Sequence, residues 1–274
     1  MYSYTNIMGE IGKDLKKKAV CIEIVDKRDY YIAKALKEEG FLAFAMGEEE
    51  KYNAYQKVYV LSILTSVTKE IVLQLEDNAM LFCRGVDDKV QSLLDEKNIK
   101  VYNLLQHQTF IVKNAYLTAE GALGYIIFNT PTSIRQQKVL VLGYGRVGKS
   151  MTKVLKDNYA FVAVATDNKK EYSEATILAD NVYTLSNYNI TVKEFSVIIN
   201  TIPKKILQGD TLELIDKDCF VLDLASNPGG VDFGKAKSLG LNVMHALGVP
   251  GKVAPKTAGL YIKDIIIEVL EKEI

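Results

Sequence analysis

Residues 143–150 combine glycine, lysine and serine in a spacing that fits two kinds of phosphate-binding turn. The segment VLVLGYGRVGKS (139–150) contains G-x-G-x-x-G at Gly143, Gly145 and Gly148, the pattern of a dinucleotide-binding turn. It also contains G-x-x-x-x-G-K-S, ending in Lys149 and Ser150, the pattern of the phosphate loop of nucleoside triphosphatases. The first pattern predicts NAD(P) and hydride transfer, and the second predicts ATP or GTP with magnesium.

The residues downstream favour the dinucleotide interpretation. A dinucleotide-binding unit needs a second parallel strand that ends in an acid, which bonds the adenosine ribose. FVAVATD (161–167) supplies this strand and ends in Asp167. A triphosphatase would need Lys149 on the phosphates, Ser150 on magnesium and a strand-end acid such as Asp223 on the metal. Since only the dinucleotide pattern requires Gly145, we predict an NAD(P) site. The cofactor residues expected here are Gly143, Tyr144, Gly145, Arg146, Val147, Gly148 and Asp167.

Asp167 also bears on the choice between NAD and NADP. A carboxylate at this position bonds both ribose hydroxyls of NAD and repels a 2′-phosphate. Lys169 and Lys170 follow directly, and we interpret them as the solvated start of a helix. NAD is therefore favoured over NADP.

The elements that must position this turn are strands alternating with helices. Near-continuous apolar runs such as KAVCIEIVD (18–26) and KVLVLG (138–143) alternate with helical patterns, which is typical of parallel sheets covered on both faces. We predict an α/β protein with two doubly wound, Rossmann-like domains and a cleft between them. Residues 1–113 form the substrate-side domain and 114–256 the NAD(P)-binding domain, which begins with an interdomain helix. The helix 257–274 is expected to pack on the first domain.

The composition excludes several classes of function. The 274 residues carry 34 Lys and Arg against 34 Asp and Glu, so no net charge favours nucleic acid or a membrane surface. The N-terminal segment lacks the apolar core of an export signal, and no apolar run is long enough to span a membrane. Cys21, Cys83 and Cys219 lie far apart in apolar runs, which predicts reduced thiols in a cytoplasmic protein and no metal site.

Several segments closely resemble the A subunit of dipicolinate synthase. They are INTIPKKIL (199–207), LDLASNPGGVDFGKAKSLG (222–240), LGVPGKVAPKTAG (247–259) and NAYLTAEG (114–121), together with the glycine turn. The resemblance implies NAD(P)-dependent oxidation of a dihydrodipicolinate-type precursor to dipicolinate in sporulating bacteria, and it implies that a flavoprotein-like B subunit is the partner. Where that family has a Gly-Gly-Asp-x-Arg-Gln turn, this chain has IVDKRD (24–29), which keeps Asp26 and Arg28.

A wider resemblance places loops beside the nicotinamide. GVPGKVAPKTAG and VLDLAS are similar to segments of alanine dehydrogenase and transhydrogenase that lie next to this ring. The resemblance implies a hydride-transfer pocket walled by Ala225, Ser226, Val249 and Pro250, with Thr201 and Pro203 on the ribose or ring.

The substrate implied by the family is a dianionic, partly reduced pyridine ring, so its carboxylates need cations. Arg28 follows a strand, and Lys256 in APKTAG is the preferred carboxylate contact. Asp26, Thr118 and Glu120 are further candidates for the substrate site, although Glu120 also suits the N-terminal turn of a helix. Asp223 is a candidate base, although a strand-end Asp commonly bonds backbone N–H groups. His107 and His245 are expected to be structural.

These observations predict an NAD(P)-dependent, dipicolinate synthase-like oxidoreductase that needs a second subunit. One alternative is a stand-alone dehydrogenase of the alanine or 2-hydroxyacid type. Another is a non-catalytic dinucleotide-binding subunit. A homo-oligomer is compatible with all three.

Overall fold

The computed structural model describes residues 18–48 and 56–273. The N-terminal segment, for which we predict no export signal, lies outside these residues. The described residues up to Lys113 and those from Ala254 onward form one compact unit, here called the N-terminal unit. Asn114–Val253 form the other, here called the central unit. Among the described helices, none is both long and apolar enough to cross a bilayer.

The described residues of the N-terminal unit form a sheet of five parallel strands in the order β2-β1-β3-β4-β5. This is one of the two common doubly wound orders. With helices numbered along the whole chain, the elements are β1 (Lys18–Ile22), α1 (Lys27–Glu38), β2 (Leu42–Ala45), β3 (Gln56–Val60), α2 (Lys69–Gln74), β4 (Met80–Cys83), α3 (Asp88–Glu96), β5 (Lys100–Asn103) and α10 (Pro255–Lys272).

The central unit contains six parallel strands in the order β11-β10-β9-β6-β7-β8. Counted within the unit, this is the strand order 3-2-1-4-5-6 of dinucleotide-binding sheets. The elements are α4 (Gln108–Asn129, shared with the N-terminal unit), β6 (Lys138–Leu142), α5 (Arg146–Asp157), β7 (Phe161–Ala165), α6 (Lys169–Ala175), β8 (Asn181–Tyr183), β9 (Val197–Asn200), α7 (Asp210–Glu213), β10 (Phe220–Asp223), α8 (Phe233–Ser238), β11 (Asn242–His245) and α9 (Val249–Val253).

Alternate residues of each central strand enter different cores, as a sheet covered on both faces requires. In β6, Val139 and Val141 belong to one apolar cluster, and Leu140 and Leu142 belong to another. All four side chains are fully buried. The predicted pair of doubly wound parallel sheets is confirmed.

Three predicted boundaries were wrong: the start of the interdomain helix at 114, and the ends of the strands predicted from the apolar runs IKVYNLL (99–105) and NVMHALGVPG (242–251). Helix α4 begins at Gln108, not 114, because Phe110 is buried in the core of the N-terminal unit. Strand β5 ends at Asn103, whose side chain accepts from Leu105 N and opens a 3₁₀ turn. The run 242–251 stops as a strand at His245, and Pro250 then occupies the first turn of α9, a position where its missing N–H has no cost.

Candidate dinucleotide-binding site

The carboxyl ends of the central strands meet at one edge of the sheet. From β6 the chain proceeds through β7 to β8 on one side, and then returns to β9 on the other side. Ligands of open α/β sheets bind at such a reversal, outside the carboxyl ends of the strands. The glycine turn follows β6, and Asp167 and Thr201 follow its two neighbours, β7 and β9. Asp223 is the last residue of β10, the strand beyond β9.

The three glycines of the turn are required for different physical reasons. Gly143 has a φ of +90°, and a Cβ there would lie 2.6 Å from Thr201 Oγ1. A Cβ on Gly148 would lie 2.1 Å from the carbonyl oxygen of Gly143, so this glycine allows α5 to pack closely on the turn. Gly145 has an ordinary φ of −67°, and the nearest atom to an added Cβ is a carboxylate oxygen of Glu171 at 4.0 Å. Gly145 thus leaves open space above the turn.

Helix α5 starts without a side-chain cap. Its N-cap residue is Gly145, and no side chain among residues 18–48 and 56–273 bonds the N–H groups of the first turn. These N–H groups and the positive end of the helix dipole are therefore available to a phosphate. Arg146 is exposed beside them and Val147 is half-buried. Tyr144 instead is buried in the core, where burial raises the pKa of its hydroxyl.

The contacts of Lys149 and Asp223 disfavour the triphosphatase interpretation. Lys149 forms an ion pair with Glu174 of α6, which lowers the pKa of that carboxyl group. Asp223 is fully buried, and both of its carboxylate oxygens accept hydrogen bonds from the protein. The lysine and the acid that ATP and magnesium would need are therefore already engaged.

Asp167 lies where a ribose-binding acid is expected. It follows β7, is exposed, and accepts a hydrogen bond through Oδ1 from Leu185 N at 2.8 Å. This bond fixes the carboxylate next to the end of β8. Lys169 and Lys170 are exposed in the first turn of α6, as predicted.

Thr201 is hydrogen-bonded to the residue that precedes the glycine turn. Its hydroxyl donates to the carbonyl oxygen of Leu142 at 2.8 Å, and its N–H donates to the same oxygen at 2.9 Å. Thr201 therefore joins the end of β9 to the residue before Gly143. Pro203 is exposed in the following loop.

Asn200 and Asp223 tie together the loops that follow β9 and β10. They are partners in register and both are fully buried. Asn200 Nδ2 donates to Asp223 Oδ1 at 2.8 Å and to the carbonyl of Ile202 at 3.0 Å. Asp223 also accepts from the N–H groups of Ala225 at 3.0 Å and Gly230 at 2.7 Å. The Asp223 carboxylate therefore makes the backbone hydrogen bonds that are common for an Asp at the end of a strand. These contacts match the structural interpretation of Asp223, which the sequence offered as the alternative to a catalytic base.

The loop after β10 presents one exposed hydroxyl. Ala225 is buried, its carbonyl lies 2.9 Å from His245 Nε2, and the ring of His245 stacks on Phe233. His245 therefore has structural contacts, as expected. Ser226 is exposed, and its carbonyl accepts from Gly229 N.

Val249 and Pro250 are buried in the central unit. A Cβ on Gly121 of α4 would lie 2.4 Å from Val249 Cγ1 and 2.7 Å from Val253 Cγ2, so α9 packs directly on α4 at this glycine. On the same helix, Thr118 is buried and its hydroxyl donates to Asn114 O at 2.8 Å. Glu120 is exposed in the middle of α4. The interpretation of Glu120 as a first-turn residue was wrong, because α4 already starts at Gln108.

In the N-terminal unit, half-buried Asp26 and buried Arg28 form an ion pair at the start of α1. Arg28 is only 6% exposed, and its Nε and Nη2 both donate to Asp26 Oδ2, at 2.9 and 2.6 Å. Burial opposes ionisation of Asp26, but the hydrogen bonds and charge of Arg28 outweigh it and lower the pKa of Asp26. Asp29 accepts from the N–H groups of Val25 and Asp26, and burial raises its pKa.

Lys256 lies in the first turn of α10 and belongs to the N-terminal unit. It is exposed, and within residues 18–48 and 56–273 it forms no ion pair. One turn later, a Cβ on Gly259 would lie 2.6 Å from the carbonyl oxygen of Arg28. The close approach of α10 to α1 therefore brings the segment of Lys256 next to the segment of Arg28.

Asn200, Thr166 and Glu171 were missed by sequence reasoning. Asn200 had a usable signal, because it is the polar residue that ends the apolar strand FSVIIN. Thr166 and Glu171 had none, since their contact depends on how α6 folds back against β7.

Comparison with known proteins agrees with the family motifs. No protein-family model matches the chain. The A subunit of dipicolinate synthase from Bacillus subtilis (strain 168) is 30% identical over 181 residues, which cover 66% of this chain and 61% of that protein. The match therefore spans less than two thirds of the length of this relative.

Solved structures extend the likeness to almost the whole fold. The crystal structure of the dipicolinate synthase A subunit from Bacillus halodurans aligns with a TM-score of 0.83 and 25% identity, over 93% of this chain and 98% of that one. An L-alanine dehydrogenase aligns with a TM-score of 0.68 and 13% identity, over 96% and 84% of the two chains, which shows a shared fold. The resemblance to the family of dipicolinate synthase A subunits indicated by the motifs is confirmed in sequence and in fold.

Proposed function

We propose that this chain is an NAD(P)-dependent oxidoreductase whose cofactor binds at the glycine turn of the central unit. The observation that carries the proposal is the uncapped start of α5, with open space at Gly145 and a strand-end carboxylate at Asp167. The N–H groups of α5 and the guanidinium of Arg146 would bind the pyrophosphate, and Asp167 would bind the adenosine ribose. A 2′-phosphate would meet the negative charge of Asp167, so NAD is the preferred cofactor.

The proposed reaction is the oxidation of a dihydrodipicolinate-type ring to dipicolinate. A bound nicotinamide would supply the hydride acceptor for this oxidation, and release of a proton would leave the ring aromatic. The substrate carries two carboxylates, which need cations. Lys256 is exposed and forms no ion pair among the described residues, so its ammonium group is the proposed contact of one carboxylate.

Arg28 is the proposed second cation, with Asp26 fixing its orientation. Nε and Nη2 donate to Asp26, so the proposed contact of the substrate carboxylate is Nη1. We assign no role in this step to Thr118, whose hydroxyl bonds within its own helix, and we keep Glu120 as an exposed candidate.

Asn200 and Asp223 have a positioning role in this proposal. They hold the loops of Thr201, Pro203, Ala225 and Ser226, which in this proposal would lie beside the nicotinamide. A second, flavoprotein-like subunit completes the activity, and the product would serve sporulation.

Calorimetric titration with NAD, NADP and ATP–magnesium tests the cofactor site, on the wild type and on Asp167→Ala. The proposal expects NAD binding that weakens at least tenfold in Asp167→Ala, since a charged hydrogen-bond acceptor is lost, and no heat from ATP–magnesium. Magnesium-dependent ATP binding, or no dinucleotide binding by the folded chain, would overturn it.

The substrate is tested separately, by following NADH formation at 340 nm with dihydrodipicolinate and the partner protein. Turnover of alanine or a 2-hydroxyacid without a partner would replace the proposed substrate. Cofactor binding with no turnover under either condition would favour a non-catalytic subunit.

A further inference from the structure

We propose that Glu171 is a second carboxylate of the cofactor site, and that it acts with Asp167 to select NAD against NADP. This inference rests on the proposed function, because it concerns the same dinucleotide. It goes beyond the fingerprint, which includes Asp167 but no residue of α6.

The side chain of Glu171 is held in place by a buried hydroxyl. Thr166 is 4% exposed, and its Oγ1 donates to Glu171 Oε2 at 2.9 Å. Thr166 is itself fixed by the hydrogen bond from its N–H to the carbonyl of Tyr183 at 3.1 Å. At the other end, the backbone N–H of Glu171 donates to Asn168 Oδ1 at 3.1 Å. The carboxylate is therefore fixed before any ligand binds.

This carboxylate faces the glycine turn. Glu171 Oε1 lies 4.0 Å from the position of a Cβ built on Gly145, the glycine whose missing side chain leaves room for the pyrophosphate. In this proposal, the adenosine joined to that pyrophosphate lies close to this oxygen.

Each of the two carboxylates has one oxygen left for a ligand. Asp167 Oδ1 accepts from Leu185 N, and Glu171 Oε2 accepts from Thr166. Among residues 18–48 and 56–273, Asp167 Oδ2 and Glu171 Oε1 accept no hydrogen bond, and Glu171 forms no ion pair. Two anionic acceptors match the two hydroxyls of an NAD ribose, whereas the 2′-phosphate of NADP would meet two like charges.

The test is calorimetric titration of the full-length protein with NAD and NADP, on the wild type, Glu171→Gln and Thr166→Val. Glu213→Gln is the matched control, because it removes one negative charge from an exposed ion pair elsewhere in the central unit. In Glu171→Gln, NAD is expected to bind about tenfold more weakly and NADP about tenfold more tightly. In Thr166→Val, the affinity for NAD should also fall and that for NADP should also rise, but each by a smaller factor. Glu213→Gln should leave the NAD-to-NADP ratio within about twofold of the wild type.

The outcomes separate this inference from the proposed function. The role of Glu171 is overturned if the wild type binds NAD and the NAD-to-NADP affinity ratio of Glu171→Gln is within about twofold of the wild-type ratio. The proposed cofactor site is unaffected by that result. A wild type that prefers NADP also overturns it. A folded wild type that binds neither dinucleotide overturns both proposals.

Discussion

We predict that Gly148 is needed for stability and that Gly145 is needed for cofactor binding. In Gly148→Ala the new Cβ would lie 2.1 Å from Gly143 O and 2.9 Å from Gly143 C. Both atoms are backbone, so no side-chain rotation removes the clash and α5 must move by about 1 Å. Such overpacking costs about 1–3 kcal/mol, which lowers the Tm of a domain of this size by about 3–10 °C.

Gly145→Ala is the comparison within the same turn. An alanine fits its φ of −67°, and the nearest atom to the added Cβ is 4.0 Å away, so the Tm is expected to stay within about 1 °C of the wild type. The methyl group occupies the space proposed for the pyrophosphate, so NAD affinity is expected to fall at least tenfold, about 1.4 kcal/mol. Gly124 lies in the middle of α4, and a Cβ added there would have no described residue outside its own helix within 4 Å. Gly124→Ala should therefore raise the Tm by about 2–4 °C, because alanine has the higher helix propensity.

Thermal unfolding by circular dichroism without ligand, followed by calorimetric titration with NAD, measures both effects. A Gly148→Ala protein that melts with the wild type would refute the packing argument. A Gly145→Ala protein that loses as much stability as Gly148→Ala, or that binds NAD normally, would refute the division of roles.

Two further predictions concern buried polar groups. Asn200→Ala leaves the buried carboxylate of Asp223 without its side-chain donor. We therefore expect the free energy of unfolding to fall by about 2–4 kcal/mol, which would lower the midpoint of urea unfolding. An unchanged midpoint would contradict this prediction. Arg28 holds the pKa of Asp26 below its ordinary 3.8, so the stability from this pair is present above that pH and is lost as the pH falls through the lower pKa. Asp26→Asn should lower the Tm at neutral pH, and its Tm should fall less than that of the wild type as the pH is lowered. If the Tm of both proteins falls equally with pH, the ion pair of Asp26 and Arg28 is not the source of the acid sensitivity.

Much of the fold could be predicted because its signals are local. The apolar strands and the glycine spacing indicate two doubly wound sheets, and buried runs such as KVLVL in β6 need no knowledge of distant residues. The boundaries that failed depend on tertiary packing. Helix α4 extends to Gln108 because Phe110 finds a core, and nothing in the neighbouring sequence indicates that core.

The candidate site could be predicted only in part, for the same reason. Asp167 could be proposed from the sequence, because it ends the strand that follows the glycine turn and its helix. The packing of Val249 on Gly121 could not be predicted, because it joins segments that are far apart in the sequence. The contact of Thr166 with Glu171 likewise becomes visible only when β7 and α6 are placed together.

The chain leaves the N-terminal unit at Lys113 and returns to it at Ala254, which has a consequence for biosynthesis. The apolar core of that unit includes Ile262, Ile265, Ile266 and Leu270 of α10, which are translated after the whole central unit. The central unit is continuous in sequence, so it can fold first, while the earlier strands β1–β5 still lack the helix that covers them. The N-terminal unit is thus begun before the central unit and completed after it, and in that interval its uncovered apolar surface is where we expect a nascent-chain chaperone to act.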